Sequence, residues 1–455
     1  MRLLNTHSLR VAEFLDDDKY PPYAILSHTW GRDEVSLQDI QDPEVACTRE
    51  GFAKVDSARM LALSEGFEYI WIDTCCIDKT SSSELSEAIN SMYLWYRMST
   101  VCYAYLADVT PESDESGFCA SRWFTRGWTL QELIAPPVVA FYSSDWQLLG
   151  FKSQRTRLLS QITGIDTSIL TGGDISQISV ARKMSWAADR QTRRVEDVAY
   201  SLLGIFSVNM PLIYGEGKKA FIRLQEEIIK ATDDQSIFAW TIPPPDHQDD
   251  VFYGLLAESP AAFRETGKHV FPFLSSSAGR RVTTLAGDGV RLEVLFWNLD
   301  IDMANEDRIQ HFQSRSKGSS TYYKAVLDCP FAGNGTVSAP PPRWRYILLW
   351  PLRVDDGSGE RQFARVNPWM LDDLEGANHR AGFMMEPLQT LPFQAGGISL
   401  FSPTTWAGTS LFGSARMNSN AHKMTQIISS AGVQTPGASK PNPSRSPTDL
   451  VKKSR

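Results

Sequence analysis

The fold is decided by one stretch of the sequence, YIWIDTCCIDKTSSSELSEAINSMYLWYRMSTVCYAYLADV, which covers residues 69–109. Its first ten residues are mostly apolar and predict a buried strand over 69–78. Ser81 and Glu84 then have capping-box spacing and are followed by apolar residues at helical intervals, which predicts a helix. Alternating residues from Val101 onward predict another strand. Strand, helix and strand in succession indicate a parallel sheet flanked by helices.

Similar signals lie on both sides of this stretch. YAILSHTWG (23–31) predicts a buried strand that ends in a polar loop, and an amphipathic helix is expected over 51–66. SRWFTRGWTLQELIAPP (121–137) predicts a helix stopped by two prolines, after which VVAFYSSDW (138–146) predicts a fourth strand. Helices between 178 and 231 are expected to cover the sheet through two apolar faces, formed by Val195, Val198, Ala199, Leu202 and Leu203 and by Phe221, Leu224, Ile228 and Ile229.

The composition changes along the chain. Beyond about residue 236, short aromatic and β-branched runs separated by turn-forming residues predict a β-rich domain. From about 412, Ser, Asn, Pro, Gly and Lys dominate, which predicts disorder because too little apolar surface is available for burial. The predicted organisation is an α/β core over 1–150, its helical completion over 151–235, a β-rich accessory domain over 236–410 and a disordered tail over 411–455.

The whole-chain properties exclude several classes of protein. A formal net charge of -8 over 455 residues argues against a nucleic-acid-binding surface spread over the molecule. No apolar stretch approaches the roughly 20 residues that span a bilayer, and the N-terminus turns polar too early for a signal peptide. We therefore expect a cytoplasmic protein without a transmembrane segment or a nucleic-acid partner.

Two local patterns are weak evidence for other chemistry. Cys75 and Cys76 lack zinc-type spacing with His28, so no metal site is predicted. Gly215-Glu216-Gly217-Lys218 lacks the first glycine and the final Ser or Thr of a phosphate-binding loop. A turn that leads into a helix explains this second pattern better.

Several motifs together resemble a known family. The stretches YAILSHTWG, the 69–109 segment, SRWFTRGWTLQELIAPP and RVEDVAYSLLGIFSVNMPLIYGEGKKAFIRLQEEI are similar to the heterokaryon incompatibility (HET) domain of filamentous fungi, over about residues 1–235. The resemblance implies non-self recognition and programmed cell death after fusion of incompatible cells. It also implies an incompatibility partner protein or self-association.

HET domains are in turn similar to the Toll/interleukin-1 receptor (TIR) fold, a flavodoxin-like parallel sheet. Trp128-Thr129-Leu130-Gln131-Glu132-Leu133 resembles the TIR stretch Trp-Cys-x-x-Glu-Leu, with Thr129 in place of the cysteine. In TIR domains that hydrolyse NAD this glutamate is catalytic, so the resemblance implies Glu132 as the catalytic residue and NAD as a substrate, with no permanently bound cofactor. Because nicotinamide leaves NAD+ from an already cationic ring, one carboxylate that stabilises positive charge on the sugar is sufficient.

The remaining pocket residues are predicted from the position of ligands beyond the carboxyl ends of parallel strands. Ser27, His28, Trp30, Gly31 and Asp73 lie at predicted strand ends, and Trp123, Arg126 and Trp128 lie in the loop and helix beside them. Trp30 or Trp123 is a candidate for stacking on a base, Gly31 for backbone approach to a phosphate and Arg126 for pairing with pyrophosphate.

Each assignment has a structural alternative. Glu132 is also placed to complement the dipole or cap of its helix, and the tryptophans to anchor the core. Arg126 is also a candidate for an ion pair, His28 for a hydrogen-bonded strand end and Asp73 for a turn cap. A non-enzymatic signalling or oligomerisation module that recruits death effectors therefore remains the alternative function.

Overall fold

The computed structural model describes residues 1–15, 20–243 and 253–268 and the strands of a second sheet between 283 and 393. Met1–Pro403 forms one compact unit that includes both sheets. The predicted tail over 411–455 lies outside the described residues, and the predicted domain boundaries remain predictions.

The first sheet has seven strands in the order β2-β1-β4-β3-β5-β6-β7. The central strands β4, β3, β5 and β6 are parallel, whereas β1, β2 and β7 are antiparallel to their neighbours. The predicted parallel sheet is thus the centre of a mixed sheet, because the N-terminal residues and those after Trp146 add antiparallel strands at the edges. The strands are β1 Arg2–Asn5, β2 Val11–Glu13, β3 Tyr23–His28, β4 Tyr69–Trp71, β5 Val101–Tyr105, β6 Val139–Tyr142 and β7 Leu148–Phe151.

The order of the parallel strands indicates where a sheet of this kind binds ligands. In chain order the second parallel strand, β4, lies on one side of the first, β3, and the third and fourth, β5 and β6, lie on the other. The connections therefore change direction between β3 and β5, and open α/β sheets bind ligands outside the carboxyl ends of the strands at such a point. Ser27 and His28 are the last two residues of β3, so they lie at this end of the sheet.

The described helices are mostly short. They are α1 Leu37–Ile40, α2 Pro43–Ala46, α3 Phe52–Ser64, α4 Asp73–Cys76, α5 Ser82–Met98, α6 Glu115–Cys119, α7 Thr129–Ile134, α8 Thr156–Thr163, α9 Thr167–Leu170, α10 Val180–Trp186, α11 Asp197–Tyr200, α12 Leu203–Phe206 and α13 Lys219–Ala231. Five 3-10 turns add Arg122–Thr125, Ile175–Gln177, Gln235–Phe238, Pro260–Phe263 and Thr266–Lys268.

The helix of the 69–109 stretch is confirmed as α5, with Ser81 as its cap. The Ser81 hydroxyl accepts a hydrogen bond from the Glu84 N–H at 3.3 Å. The Glu84 carboxylate does not complete the box; it accepts from the Asp78 N–H at 2.8 Å and pairs with Arg2. The capping-box spacing therefore predicted the start of the helix correctly. The second residue of the motif, Glu84, contacts residues outside the helix instead of its own N-cap.

Three predictions of local structure need correction. The strand predicted over 69–78 ends at Trp71, because Asp73 starts the helical turn α4, where its negative charge lies in the first turn. The helix predicted in 121–137 is divided into a 3-10 turn and α7, which ends before the two prolines. Val195 is 48% exposed and does not join a buried face, since the nearest helix starts at Asp197.

Of the other predicted apolar positions, Val198 is partly buried and the rest are buried. Phe221, Leu224, Ile228 and Ile229 of α13 are all buried, and strands β3 and β6 are buried along their whole length. Trp71 and Trp123 are fully buried at the centre of the molecule. Such aromatic side chains supply the largest apolar areas to a core and fix the helices on the sheet.

A second sheet lies between Thr283 and Phe393, whereas the described residues from 235 to 268, where the β-rich region was predicted to begin, carry three 3-10 turns. Its strands are β8 Thr283–Ala286, β9 Gly289–Leu299, β10 Tyr322–Phe331, β11 Arg343–Pro351, β12 Phe363–Val366, β13 Asp373–Leu374 and β14 Gln389–Phe393. Strands β9, β10, β11, β12 and β14 pair in a closed ring, with β8 added to β9 and β13 to β11. Within the described residues, no helix is both long and apolar enough to cross a membrane.

Candidate active site at the ends of β3 and β5

Glu132 lies in the first turn of α7, which follows β5, α6 and a 3-10 turn in the chain. The half-buried Arg190 and the buried Lys152 hold this helix at its two ends. At the start, Arg190 Nη1 donates to the Arg126 carbonyl at 2.7 Å and to Thr129 Oγ1 at 3.0 Å. At the end, Lys152 Nζ donates to the carbonyls of Leu133 at 3.2 Å and Pro136 at 2.6 Å. Unpaired carbonyls at the end of a helix favour such a cation.

The carboxyl group of Glu132 is the end of a buried hydrogen-bonded chain. Trp123 Nε1 donates to Ser27 Oγ at 2.8 Å, and Ser27 Oγ donates to Glu132 Oε2. We call these three residues the Glu132 chain. Since the carboxyl group bonds a side chain of β3 and the helix has no side-chain cap, the capping alternative for Glu132 is not what the structure shows.

Burial dominates the electrostatics of Glu132. The residue is 7% exposed, and desolvation raises the pKa of its carboxyl group to about 8. The Ser27 hydrogen bond and the positive charges of Arg126 and Arg190 lower this pKa, while the negative charge of Asp73 raises it. In this closed form the carboxyl group is therefore mostly protonated at pH 7.

A second group of predicted residues forms a cluster next to this chain. Trp30 Nε1 donates to Asp73 Oδ2 at 2.8 Å, and His28 Nε2 lies 3.7 Å from Asp73 Oδ1. Lys79 Nζ lies 3.8 Å from the centre of the Trp30 ring and 4.0 Å from Asp73 Oδ2. We call Trp30, Asp73, His28 and Lys79 the Asp73 cluster. Because His28 follows Ser27 in β3, the cluster and the Glu132 chain are neighbours at one strand end.

His28 is a buried histidine without a hydrogen-bond partner in the described structure. Neither ring nitrogen has one, and its side chain has no exposed surface. Burial lowers the pKa of His28 well below its ordinary value, and the positive charge of Lys54 lowers it further, so the ring is neutral at pH 7. The hydrogen-bonded alternative for His28 is therefore wrong for this structure.

The remaining predicted residues are placed differently from one another. Trp123 is fully buried, so it serves the core and cannot stack on a base in this form. Trp30 is 37% exposed and keeps that possibility. The Gly31 N–H donates to Glu34 Oε1 at 2.5 Å, and Arg126 is half-buried at the rim. Trp128 hydrogen-bonds Asp197, away from Glu132, although the two residues are four apart.

This region also contains three residues that the sequence pattern did not indicate: Arg190, Lys79 and Glu34. Arg190 stands among several arginines before α11, and nothing in the local pattern distinguishes it. Its role depends on a contact with residues more than 60 positions earlier in the chain.

The loop that resembles a phosphate-binding loop holds a carboxylate instead. Glu196 Oε1 accepts the N–H groups of Gly215 at 2.8 Å and Gly217 at 3.0 Å. Both glycines have positive φ angles, of 103° and 63°, which other residues rarely adopt. The interpretation as a turn into a helix is consistent with this arrangement, since α13 starts at Lys219. Within the described residues, no three metal-ligating side chains are grouped for a metal ion.

Comparison with known proteins agrees with the resemblance seen in the sequence. Residues 23–117 match the family model described as heterokaryon incompatibility protein (HET). The vegetative incompatibility protein HET-E-1 of Podospora anserina is 46% identical over 261 residues, which are 54% of this chain and 19% of that protein. The chain carries a HET domain. It spans about a fifth of the length of this relative.

The matched part of the HET domain runs from β3 into α6. It includes the Asp73 cluster and Ser27, whereas Trp123 and Glu132 follow it in the chain. Residues 219–252, which include most of α13, match a domain of unknown function (DUF8212). No solved structure matches the chain.

Proposed function

We propose that this chain acts in fungal heterokaryon incompatibility and that its HET domain cleaves NAD+, with Glu132 as the catalytic carboxylate. The observation that supports this most is the buried Glu132 carboxyl group, bonded by Ser27 near the carboxyl end of β3 and with its pKa raised to about 8. Ionisable groups with strongly shifted pKa values concentrate at functional sites. The order of the parallel strands, which begins the flavodoxin-like order, supports the proposed likeness to TIR domains.

The proposed reaction breaks the bond between ribose C1′ and the nicotinamide nitrogen. The bonding electron pair moves to the pyridinium nitrogen, which leaves as neutral nicotinamide, and positive charge develops on the sugar. The ionised Glu132 carboxylate stabilises this charge in a site with little water. Water then adds to C1′ and loses a proton, which gives ADP-ribose.

The raised pKa of Glu132 is compatible with this role. A cationic nicotinamide ring placed beside the carboxyl group favours its ionised form, because opposite charges lower the pKa of an acid. Without that ring the group is mainly protonated at pH 7. We therefore expect the rate to rise with pH up to the region of pH 8, where the free site becomes ionised.

The described conformation is a closed form of the proposed site. Ser27 occupies one Glu132 oxygen, Trp123 covers Ser27, and the glutamate is only 7% exposed. Activation by an incompatibility partner or by self-association, followed by programmed cell death, would then require separation of Ser27 from Glu132. In the open form, Trp30 is the residue placed to stack on a base and Arg126 the one placed near pyrophosphate.

The test measures nicotinamide release from NAD+ by the purified full-length protein, with and without induced oligomerisation. Glu132→Gln keeps the shape of the side chain and is expected to reduce release by about 10²–10³-fold, the usual effect of removing one stabilising group from a transition state. Glu227→Gln, on the surface of α13, is the matched control and should retain release. Absence of release in both forms of the wild-type protein, or equal release by the Glu132 variant, would overturn the proposal.

A non-enzymatic signalling module is the second candidate, and one observation favours it. The bond between Ser27 and Glu132 ties α7 to β3, which gives the glutamate a structural role in the closed form. Cell killing by Glu132→Gln in a fungal host separates the candidates. A signalling module kills as well with glutamine, whereas an NAD+-cleaving enzyme loses killing while remaining folded.

A further inference from the structure

Arg190 lies where separate segments of the chain meet. Its Nε donates to the Trp186 carbonyl at the end of α10 at 3.1 Å, and its Nη1 bonds Arg126 and Thr129 at the start of α7. Two backbone bonds strengthen the same contact: Gln191 N–H to the Thr125 carbonyl at 2.7 Å and Gly127 N–H to the Gln191 carbonyl at 2.9 Å. Arg190 therefore fixes the beginning of the helix that carries Glu132.

The segment that carries Arg190 is also held from its other side. Asp189 pairs with Arg264 at 2.7 Å, and Gly267 lies so close to α10 that an added Cβ would stand 2.3 Å from the Ala181 carbonyl oxygen. Contacts on two sides leave Arg190 little freedom to move away from α7.

One nitrogen of Arg190 has no partner in the described structure. The guanidinium is buried, and Nη2 makes no hydrogen bond. An unpaired donor on a buried cation costs free energy, which a nearby negative charge offsets. Arg190 and Glu132 influence each other electrostatically: Arg190 lowers the pKa of the Glu132 carboxyl group, and Glu132 raises the pKa of Arg190, which burial lowers to about 9.

Hydrogen bonds also join the two residues. Thr129 Oγ1, which accepts from Arg190, donates to the Trp123 carbonyl at 2.5 Å. The Trp123 indole in turn donates to Ser27, which donates to Glu132. A change at Arg190 is thus transmitted to the Glu132 chain by geometry as well as by charge.

We propose that Arg190 is a positioning residue of the Glu132 site: through Nη1 it holds the Trp123–Thr129 segment, and its guanidinium places a positive charge at the start of the helix that carries Glu132. The catalytic meaning of this role rests on the proposed function, but the physical coupling does not. Other groups also face Glu132 from the elements around it. They are Ser27 of β3, Asp73 of α4, Tyr96 of α5, Cys102 of β5, and Arg126 before α7.

The experiment compares each protein with its Glu132→Gln counterpart by urea unfolding across a pH series. The measured quantity is the unfolding equilibrium constant of the glutamate form divided by that of the Glu132→Gln form. With Arg190 present, this ratio should grow about tenfold per pH unit above the ordinary glutamate pKa. This growth should stop near pH 8, where Glu132 ionises in the folded protein. The pH at which growth stops measures the Glu132 pKa without any assay of activity.

Arg190→Gln removes the charge and is expected to move this pH upward by less than about one unit, because an opposite charge lowers the pKa of a carboxyl group and the influence of Arg190 on Glu132 is smaller than that of Asp73 or Arg126. Arg190→Lys keeps the charge and should leave it nearly unchanged, with some loss of stability from the missing fork of donors. Arg190→Met, which keeps the volume of the stem, provides the same neutral comparison if the glutamine variant does not fold.

Arg182→Leu is the matched control. It removes an arginine of α10 that pairs with Asp166 at 2.9 Å, and it should lower stability without moving the pH at which growth stops. The proposal is overturned if the neutral Arg190 variants stop at the same pH as the wild type, or if the lysine variant is displaced as far as the neutral ones.

Nicotinamide release by the same variants separates this proposal from the proposed function. If the neutral Arg190 variants move the pH at which growth stops, but no nicotinamide is released from NAD+, the role of Arg190 is retained and the proposed NAD+ cleavage is rejected. Release that depends on Glu132, with no displacement in the neutral Arg190 variants, retains the enzyme and rejects the role of Arg190.

Discussion

Glu132 and Glu196 are nearly equally hidden, with 7% and 6% of each residue exposed, yet their pKa values move in opposite directions. Backbone N–H groups, its own and those of Gly215 and Gly217, lower the pKa of Glu196. Desolvation raises that of Glu132, whose hydrogen-bond donor is the hydroxyl of Ser27.

At nearly equal exposure, the depth of burial and the hydrogen-bond donors around a carboxyl group together decide its charge. Fixed backbone dipoles stabilise the ionised form of Glu196 beneath a surface loop, where few protein atoms displace water. Glu132 lies deep in the molecule, and no set of backbone N–H groups replaces its lost water. Glu196 is therefore a structural carboxylate that closes a turn, whereas Glu132 is retained at a cost in stability.

The largest expected effect concerns the pH dependence of stability at Glu132. A folded pKa near 8 against an ordinary 4.5 means that the unfolded protein ionises first, so the glutamate costs stability as pH rises through this interval. Relative to the wild type, Glu132→Gln should gain about 1.4 kcal/mol per pH unit, and about 4 kcal/mol by pH 8. Urea unfolding at pH 5, 6, 7 and 8 measures it. A constant difference across the series would show that Glu132 ionises normally in the folded protein.

An intermediate effect of the opposite sign is expected at Glu196. The pKa of the Glu196 carboxyl group is lower in the folded protein than its ordinary value of 4.5. The ionised group therefore stabilises the folded protein above pH 4.5, and this stabilisation is lost as pH falls through the pKa of the folded protein. Glu196→Gln should therefore destabilise the protein at pH 7 by about 1–3 kcal/mol, the loss of charge-assisted hydrogen bonds. The deficit should shrink in acid. Thermal unfolding at pH 7 and pH 3, with Glu227→Gln as the unaffected surface control, decides whether the two glutamates differ in sign.

The smallest effect tests the influence of the Asp73 cluster. The negative charge of Asp73 raises the pKa of Glu132, so Asp73→Asn should lower the pH at which Glu132 ionises. The change is expected to be below about one pH unit because Asp73 is partly exposed to water and close to Lys79. The pH at which Glu132 ionises is measured by urea unfolding of each protein and of its Glu132→Gln counterpart across the pH series. A shift to higher pH would show that Asp73 acts on Glu132 through packing and not through charge.

Much of the first sheet followed from local pattern. Strands β3, β5 and β6 and helices α3 and α5 lie where the hydrophobic periodicity and the Ser81 cap predict them. The strand over 69–78 was predicted too long because a short apolar run is equally compatible with a buried strand and a buried helical turn. Cys75 and Cys76 lie in such a helical turn, α4. The edge strands were not predicted, since a short strand such as β1 depends on pairing with β4, a partner distant in the chain.

The candidate site was predicted in part. The rule that ligands lie beyond the carboxyl ends of parallel strands predicted a group of residues at one end of the sheet. The structure places them there in two groups, the Glu132 chain and the Asp73 cluster. The spacing of residues along the chain did not predict the direction of each side chain. Trp123 points toward Ser27, and Trp128 points toward Asp197. Position along a helix defines a face, but neighbouring elements decide what that face contacts.

The sequence by itself determined the α/β alternation, the start of α5, the end of α7 before its two prolines, and the placement of Glu132 in a first helical turn. These features depend on interactions within a few residues, so local composition is sufficient to specify them. Only the tertiary structure decided that Ser27 closes over Glu132, that His28 is buried without a partner and that Arg190 supports α7. Each of these depends on contacts between segments separated by tens of residues, and burial at those contacts sets the charges of the groups involved.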